Sequence, residues 1–319
     1  MSYSRRDILS TGSALAALIL VRPAGAAEET YPSRPIEFIV PWGPGGGADQ
    51  LARKVGKLAE PIVGQAMPVV NVPGGTGGTG MAKLLAAPAD GYSMAVYIAD
   101  SHALLAGRNA RWTMDDIIPV AVLIQAPSFL FVAQDSPFAT WADFEKEAKA
   151  NPGKLKVATL GFGSVDDFTL KYLDSKGVKV LQVPFAKPSE RYISILGGHA
   201  DALFEQAGDV AQFINGEQMR PLIVFAEQRF PAFKDIPSSH ELGYQVSLPQ
   251  FRSIVVRAGT PPERVQALAD ALTEAAATAE YQEFLEEQFA DAKSFLGATE
   301  AASFLKEQLE AMRNVSKPS

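Results

Sequence analysis

The sequence predicts an α/β protein of two lobes, each built on a doubly wound sheet flanked by helices. Short apolar strands alternate with amphipathic helices along the chain, which is the pattern of strand–helix–strand units. Glycine-rich turns follow several of the strands, and the pattern restarts after Asn151-Pro152-Gly153. At 319 residues the chain is also long for a single hydrophobic core, so two lobes are expected.

In the first half, strands are expected at 36–40, 68–72 and 93–98. The first intervening helix places apolar residues on one face at Leu51, Val55, Leu58 and Ile62, and the second does so at Met81, Leu84 and Leu85. This order predicts right-handed crossovers in a largely parallel sheet. In such sheets ligands bind beyond the carboxyl ends of the strands.

In the second half, an apolar segment at 123–133 is expected to cross to the second lobe, and a strand at 251–256 to return. Between them we predict helices at 141–150, 167–176 and 189–196 and strands at 156–160, 179–183, 202–205 and 221–226. Pro262 predicts the start of a later helix, and Thr299 is predicted to cap the last one. The predicted organisation is an export signal at 1–26, lobe one at 27–128 and 249–319, and lobe two at 129–248.

The first 26 residues have the three parts of an export signal. Ser4–Leu9 contains twin arginines, Ala14–Val21 is an apolar run, and Ala24-Gly25-Ala26 offers a cleavage site. The alternatives are a membrane anchor or an N-terminal helix, but the run is short of the roughly 20 residues that span a bilayer. Since no later segment approaches that length, a periplasmic, soluble mature protein is expected.

Composition narrows the function classes. The formal charge is −7, and removing the signal, which holds three arginines and one aspartate, lowers it to −9. Such a chain gives no electrostatic reason to bind nucleic acid. It has no cysteine, and His102, His199 and His240 lack metal-ligand spacing. No metal, cofactor or nucleic acid is therefore expected.

Two glycine turns indicate an anionic ligand. Gly45–Gly47 lies between a strand and a helix, and a second turn at Pro73–Gly78 repeats that arrangement. Backbone N–H groups at a helix N-terminus favour an anion. The dinucleotide fingerprint fails because Ala48 stands where its last glycine belongs, and no phosphate-loop Gly-Lys-Ser/Thr follows.

The ordered set of motifs resembles the Bug family, the periplasmic solute-binding proteins of tripartite tricarboxylate transporters. It runs from YPSRPIEFIVPWGPGGGAD through PGGTGG and Ala89-Asp90-Gly91-Tyr92 to Leu196-Gly197-Gly198-His199-Ala200-Asp201, Asp235-Ile236-Pro237 and Ala258-Gly259-Thr260-Pro261. The resemblance covers essentially the whole mature chain. It implies a type II periplasmic binding fold that closes on a carboxylate, delivery to integral membrane transporter subunits, and a monomer.

Carried over residue by residue, the resemblance gives a set of candidate ligand-binding residues. Lobe one contributes Trp42, Pro44, Gly45, Gly46, Gly47, Asp49, Gly74, Gly75, Thr76, Gly77, Asp100, Ser101, His102 and Arg252. Lobe two contributes Gly161, Gly163, Ser164 and Glu205. Arg252 is the one cationic side chain expected in the cleft, whereas Asp49 is expected mainly to bond to its own helix start.

The chain departs from the family pattern at three places: Asp100, Asp166 with Asp167, and Arg252. Extra acid beside the cleft would repel a second carboxylate or pair with an amine. The expected ligand is therefore a monocarboxylate, an amino acid or an aromatic acid rather than citrate. The Gly45–Gly47 turn is expected to hold one carboxylate, and Trp42 with the turns near 100–102 and 161–167 to choose among acids.

The alternative is an exported hydrolase that uses Ser101, His102 and Asp100. Adjacent residues on an extended chain point in diverging directions and rarely form a nucleophile–base pair. The chain also lacks a G-x-S-x-G elbow. The sequence thus favours a binding protein with no catalytic group.

Overall fold

Two five-stranded sheets organise the part of the chain that the computed structural model describes, residues 30–107 and 110–315. The predicted export signal lies outside these residues. The strands are β1 Glu37–Val40, β2 Val69–Asn71, β3 Ser93–Ile98, β4 Ile117–Ala126, β5 Ser128–Ala133, β6 Lys156–Thr159, β7 Leu181–Pro184, β8 Ala202–Glu205, β9 Met219–Phe225 and β10 Gln250–Arg257. The α-helices are α1 Gly47–Val63, α2 Gly78–Ala86, α3 Ala99–Ala103, α4 Trp141–Ala150, α5 Val165–Ser175, α6 Pro188–Leu196, α7 Ala211–Asn215, α8 Pro262–Ala276, α9 Ala279–Glu287 and α10 Ala298–Val315.

Each sheet combines parallel and antiparallel strands. The first has the order β2-β1-β3-β10-β4, with β1 parallel to β2 and β3, and β10 antiparallel to both of its neighbours. The second has the order β7-β6-β8-β5-β9, with β6 parallel to β7 and β8. We call the first sheet with its helices lobe one and the second sheet with its helices lobe two. The prediction of a two-lobed α/β protein is confirmed.

The chain crosses between the sheets where the sequence suggested. β4 ends in the first sheet at Ala126 and β5 begins in the second at Ser128, within the apolar segment 123–133. β10 then returns the chain to the first sheet. Crossing segments therefore lie beside the carboxyl ends of β3 and β8, where the two lobes face each other.

Both faces of the first sheet are buried. Along β1, Phe38 and Val40 belong to one apolar cluster and Ile39 to the cluster on the opposite face. This alternation explains why the strand is continuously apolar: successive side chains point to opposite faces, and helices cover both. The resulting rigid sheet fixes the turns that follow β1 and β3.

Two helix predictions need correction. Thr299 lies inside α10, which begins at Ala298, so it does not cap that helix. Helix α9 was not predicted at all; it begins after Thr278, whose hydroxyl accepts a hydrogen bond from the Tyr281 N–H at 3.2 Å. Only Ala277 and Thr278 separate it from α8, so the sequence pattern alone does not divide the two helices.

Gly80 makes a close backbone approach, and we expect Gly80→Ala to destabilise the protein. A Cβ at Gly80 would lie 2.5 Å from the Pro41 Cα in the turn after β1. Overpacking of this kind costs about 1–3 kcal/mol, which outweighs the gain of up to about 1 kcal/mol in helix propensity. Urea denaturation measures the difference in the free energy of unfolding.

The matched control is Gly56→Ala in α1. A Cβ there would meet its nearest neighbour, the Met67 carbonyl oxygen, at an ordinary 3.6 Å. This variant should be as stable as the original or gain up to about 1 kcal/mol. Equal gains at Gly56 and Gly80 would contradict the packing described at Pro41.

Candidate ligand-binding site

A small cavity lies between the two sheets at the carboxyl ends of β1, β3, β6 and β8. Lobe one lines it with Trp42, Gly46, Gly47, Ile98, Phe251 and Arg252. Lobe two lines it with Leu160, Pro188, Arg191, Tyr192, Glu205 and Asp209. The position is the one that the strand–helix order predicts for a ligand.

The N-terminus of α1 is in contact with a carboxylate from the other lobe. The Gly47 N–H donates to Asp209 Oδ2 at 3.3 Å, and Asp209 also forms a buried ion pair with Arg252. The Gly45 N–H donates to Asp49 Oδ2 at 3.0 Å. The helix start therefore attracts carboxylates as predicted from its dipole, but the carboxylates seen here are the protein's own.

Arg191 brings a second cation into the cavity. It lies on α6 and forms an ion pair through Nη2 with Glu205, at the end of β8. Both side chains are almost fully buried. The Arg191 Nε and Nη1 have no hydrogen-bond partner among the described residues. The expectation that Arg252 is the only cation in the cleft is wrong.

Two further buried donors on this cavity are also unpartnered within residues 30–107 and 110–315. They are Trp42 Nε1 and the Tyr192 hydroxyl. Both side chains are less than one-tenth exposed: Trp42 5% and Tyr192 3%. A buried polar group without a partner costs about 1–3 kcal/mol. Their convergence indicates a site shaped for a ligand that supplies acceptors.

Two buried aspartates meet the same region from opposite lobes. Asp100 Oδ1 accepts from the Val165 N–H at 3.0 Å, and Asp166 Oδ2 accepts from the Leu160 N–H at 2.8 Å. The Gln250 side chain also bonds to Asp100, whereas Asp166 Oδ1 has no partner among the described residues. Burial raises the pKa of Asp100 to about 6, opposed by the Val165 N–H and Arg191. Burial and the charge of Asp100 raise the pKa of Asp166 well above its ordinary value.

This burial predicts a pH-dependent difference between the protein and its Asp100→Asn variant. A raised pKa means that the folded state binds more protons than the unfolded state between about pH 4 and 6. The stability that this carboxyl contributes is therefore present at low pH and is lost as pH rises through that window. Relative to Asp100→Asn, the free energy of unfolding should fall by up to about 3 kcal/mol between pH 4 and 7.

Urea denaturation of both forms across this range measures the effect. Burial lowers the pKa of His102 to about 4, so this side chain adds a pH dependence of opposite sign. Because both forms contain His102, its contribution cancels, and the difference reports Asp100 together with its effect on Asp166. Parallel pH profiles for the two forms would contradict the assignment.

Nine of the predicted residues lie on the cavity or on a groove beside it. Trp42, Gly46, Gly47, Glu205 and Arg252 line the cavity. Gly74, Gly75, Thr76 and Gly161 line a groove that shares Trp42 and Leu160 with the cavity. Across this groove the Thr76 hydroxyl lies 3.4 Å from the Phe162 carbonyl oxygen of lobe two. Their contact with a ligand stays a prediction.

Other predicted residues have structural partners. Asp49 accepts hydrogen bonds at its own helix start, from Gly45 and from Arg53 and Asn71. Ser164 caps α5 by accepting from the Asp167 N–H at 3.2 Å, and the Gly163 N–H donates to Asp167. Pro44 and Gly45 are exposed, Gly77 precedes α2, and neither Asp100 nor Ser101 lines the cavity.

The hydrolase arrangement is contradicted at His102. Its Nδ1 lies 3.1 Å from the Tyr97 hydroxyl and its Nε2 lies 2.7 Å from the Leu305 carbonyl oxygen of α10. Both ring nitrogens are therefore engaged inside lobe one. The Ser101 hydroxyl lies instead near the Thr76 carbonyl oxygen, at 3.5 Å. This histidine is a buried packing residue. It does not line the cavity, although it was predicted to contact the ligand.

Sequence reasoning missed Arg191, Tyr192, Asp209 and Gln250. A signal for Arg191 exists: the buried face of α6 includes Pro188, Arg191, Tyr192 and Ile195, which follow the helical spacing of three and four. An arginine at a core position of an amphipathic helix needs a buried partner. Asp209 gives no such local signal, because its partners are remote in sequence.

The two lobes with a cavity between them are the architecture of the two-lobed periplasmic binding fold. The sequence profile described as "Tripartite tricarboxylate transporter family receptor" matches residues 51–317. The chain is 30% identical over 285 residues to the "UPF0065 protein in gbd 5'region" of Cupriavidus necator, covering 88% of this chain and 86% of the relative. The protein belongs to the tripartite tricarboxylate transporter receptor family.

Solved structures agree with this fold. The periplasmic binding protein BugD superposes with a TM-score of 0.82 at 23% identity, covering 89% of this chain and 97% of BugD. R. palustris Rpa4515, solved with adipate, superposes with a TM-score of 0.83 at 22% identity, covering 90% and 97%. Within the described residues no helix has the length and apolarity that a membrane span requires.

Proposed function

We propose that this protein is an extracytoplasmic receptor that captures a small carboxylate between its lobes and delivers it to integral membrane transporter subunits. The observation that carries the proposal is the convergence of buried, unpartnered donors from Trp42, Arg191 and Tyr192 on one cavity between the sheets. A carboxylate is the ligand group that such donors bind best, since it only accepts hydrogen bonds.

Closure gives these donors their effect. Trp42 belongs to lobe one, whereas Arg191 and Tyr192 belong to lobe two. A ligand that accepts from both lobes stabilises the closed arrangement over the open one by the difference in its contacts. Each charge-assisted hydrogen bond contributes about 1.5–3 kcal/mol. The adipate in the related fold of Rpa4515 supports a carboxylate as the ligand class.

The family supports the cellular setting. We propose export through the twin-arginine signal at 1–26, release into the periplasm, and action as a monomer. We also propose lobe boundaries close to 27–128, 129–248 and 249–319: β4 and β10 belong to one sheet and β5 to β9 to the other, with Ser128 the first residue of β5. No catalytic step is part of this proposal.

The test is a thermal-shift panel on the chain from residue 27 onward. Small organic acids of differing length and aromaticity are compared with their primary amides, which have the same shape without the charge. We expect at least one acid to raise Tm while its amide does not. An unchanged Tm with every acid, or equal shifts with acid and amide, would contradict the proposed function.

A further inference from the structure

We propose that the ligand is a monocarboxylate with an apolar body, that Arg191 holds its carboxylate, and that the site rejects a second carboxylate. The inference rests on the proposed function and makes its ligand class more specific. It departs from what the family description suggests, because tricarboxylates carry three such groups. The distribution of charges and hydrogen-bond donors around the cavity supports it.

The cations of the cavity are already matched by acids. Arg191 pairs with Glu205, and Arg252 pairs with Asp209. Asp100 and Asp166 lie close enough to Arg191 to feel its charge, and burial raises the pKa of both carboxyls. Within the described residues, each arginine of the cavity therefore already has an acidic partner.

One ligand carboxylate still has partners here. Arg191 retains two nitrogens without a hydrogen-bond partner, and the neutral donors of Trp42 and Tyr192 lie on the same cavity. A second carboxylate would find no further cation among the described cavity residues. The N–H of Gly47 already donates to Asp209. A second charge would thus be desolvated without a cation to pair with, which is unfavourable.

The rest of the wall suits an apolar group. Ile98, Leu160, Pro188 and Phe251 contribute side chains without hydrogen-bonding groups. Ile98, Pro188 and Phe251 are buried and Leu160 is half-buried. The indole of Trp42 adds an aromatic surface. Apolar ligand surface is stabilised against such walls in proportion to the area removed from water. The two parts of the site therefore fit the two ends of one monocarboxylate.

Calorimetry with matched acid pairs tests the inference. Hexanoate is compared with adipate, and benzoate with phthalate, so that each pair differs by the second carboxylate. The better monocarboxylate should bind at least about 100-fold tighter than its dicarboxylate partner. Equal or tighter binding of adipate or phthalate overturns the inference and leaves the proposed function standing. If no acid of any kind binds, both are overturned.

A variant at Arg191 tests the anchor. Because Arg191→Gln alone leaves Glu205 buried without its partner, the double variant Arg191→Gln with Glu205→Gln is the main test; it keeps two hydrogen-bonding amides in place of the ion pair. Monocarboxylate affinity should fall by about 10- to 100-fold. Arg229→Gln, at an exposed arginine of lobe two, is the control and should bind normally. Unchanged affinity in the double variant overturns the anchor.

Discussion

Gly47→Val should abolish ligand binding while each lobe stays folded. A Cβ at Gly47 would lie 2.0 Å from Arg252 Nη2 and 2.1 Å from Asp209 Oδ1, so a branched side chain cannot share this space with the ion pair. A Cβ at the neighbouring Gly46 would lie 2.7 Å from the Pro188 Cγ of lobe two. Both glycines therefore permit the lobes to approach, and Gly46→Val should have the same effect.

Calorimetry with the tightest-binding acid measures this loss, which should exceed about 100-fold in Kd. Far-ultraviolet circular dichroism should be unchanged, because Gly46 has an ordinary φ of −84° and Gly47 is not in the left-handed region. The control is Gly78→Val at the start of α2, where the nearest contact of a Cβ is the Trp112 ring at 3.8 Å. Normal binding by Gly47→Val would show that close approach at α1 is not needed.

Glu205→Ala should cause the largest loss of stability among single substitutions at the site. It leaves the guanidinium of Arg191 buried, at 2% exposure, without its ion-pair partner. Removing one member of a buried pair costs about 3–5 kcal/mol, since the remaining charge is desolvated. Urea denaturation at neutral pH should therefore show a free energy of unfolding lower by about 3 kcal/mol.

The double variant Glu205→Leu with Arg191→Met is the matched control, because it removes both members of the ion pair. Replacing a buried ion pair by apolar groups of similar volume is often nearly neutral. Much of the lost stability should therefore return in the double variant. Glu241→Ala, which removes the partner of Arg229 in an exposed pair, should change stability little. A Glu205→Ala variant as stable as the original protein would contradict a closely paired, buried Arg191.

Local pattern determined most of the fold. The continuous apolar strand at β1, the exact match of the predicted and observed β3 at 93–98, and the return strand β10 each follow from burial on both faces of a sheet. The glycine turn before α1 could be located because a recognisable strand and a recognisable helix flank it. Helix α9 was not predicted because it is short and only two residues separate it from α8.

The charge network of the site could not be predicted in the same way. Asp209 reaches the N–H of Gly47 across 162 positions of the sequence, from a short turn after β8. Nothing in the residues near Asp209 specifies that partner, since the contact depends on how one lobe faces the other. Arg191 and Glu205 are likewise joined by the packing of α6 on β8. The sequence was therefore enough to locate the glycine turns, whereas the ion pairs depend on tertiary contacts.

The most direct measurement is a crystal structure of the protein with its tightest-binding monocarboxylate. We expect the acid in the cavity between the sheets, with a carboxylate oxygen about 3 Å from Arg191 and its apolar body toward Phe251 and Trp42. An acid bound away from this cavity, such as in the groove along α10 that Lys306 and Arg313 line, would contradict it.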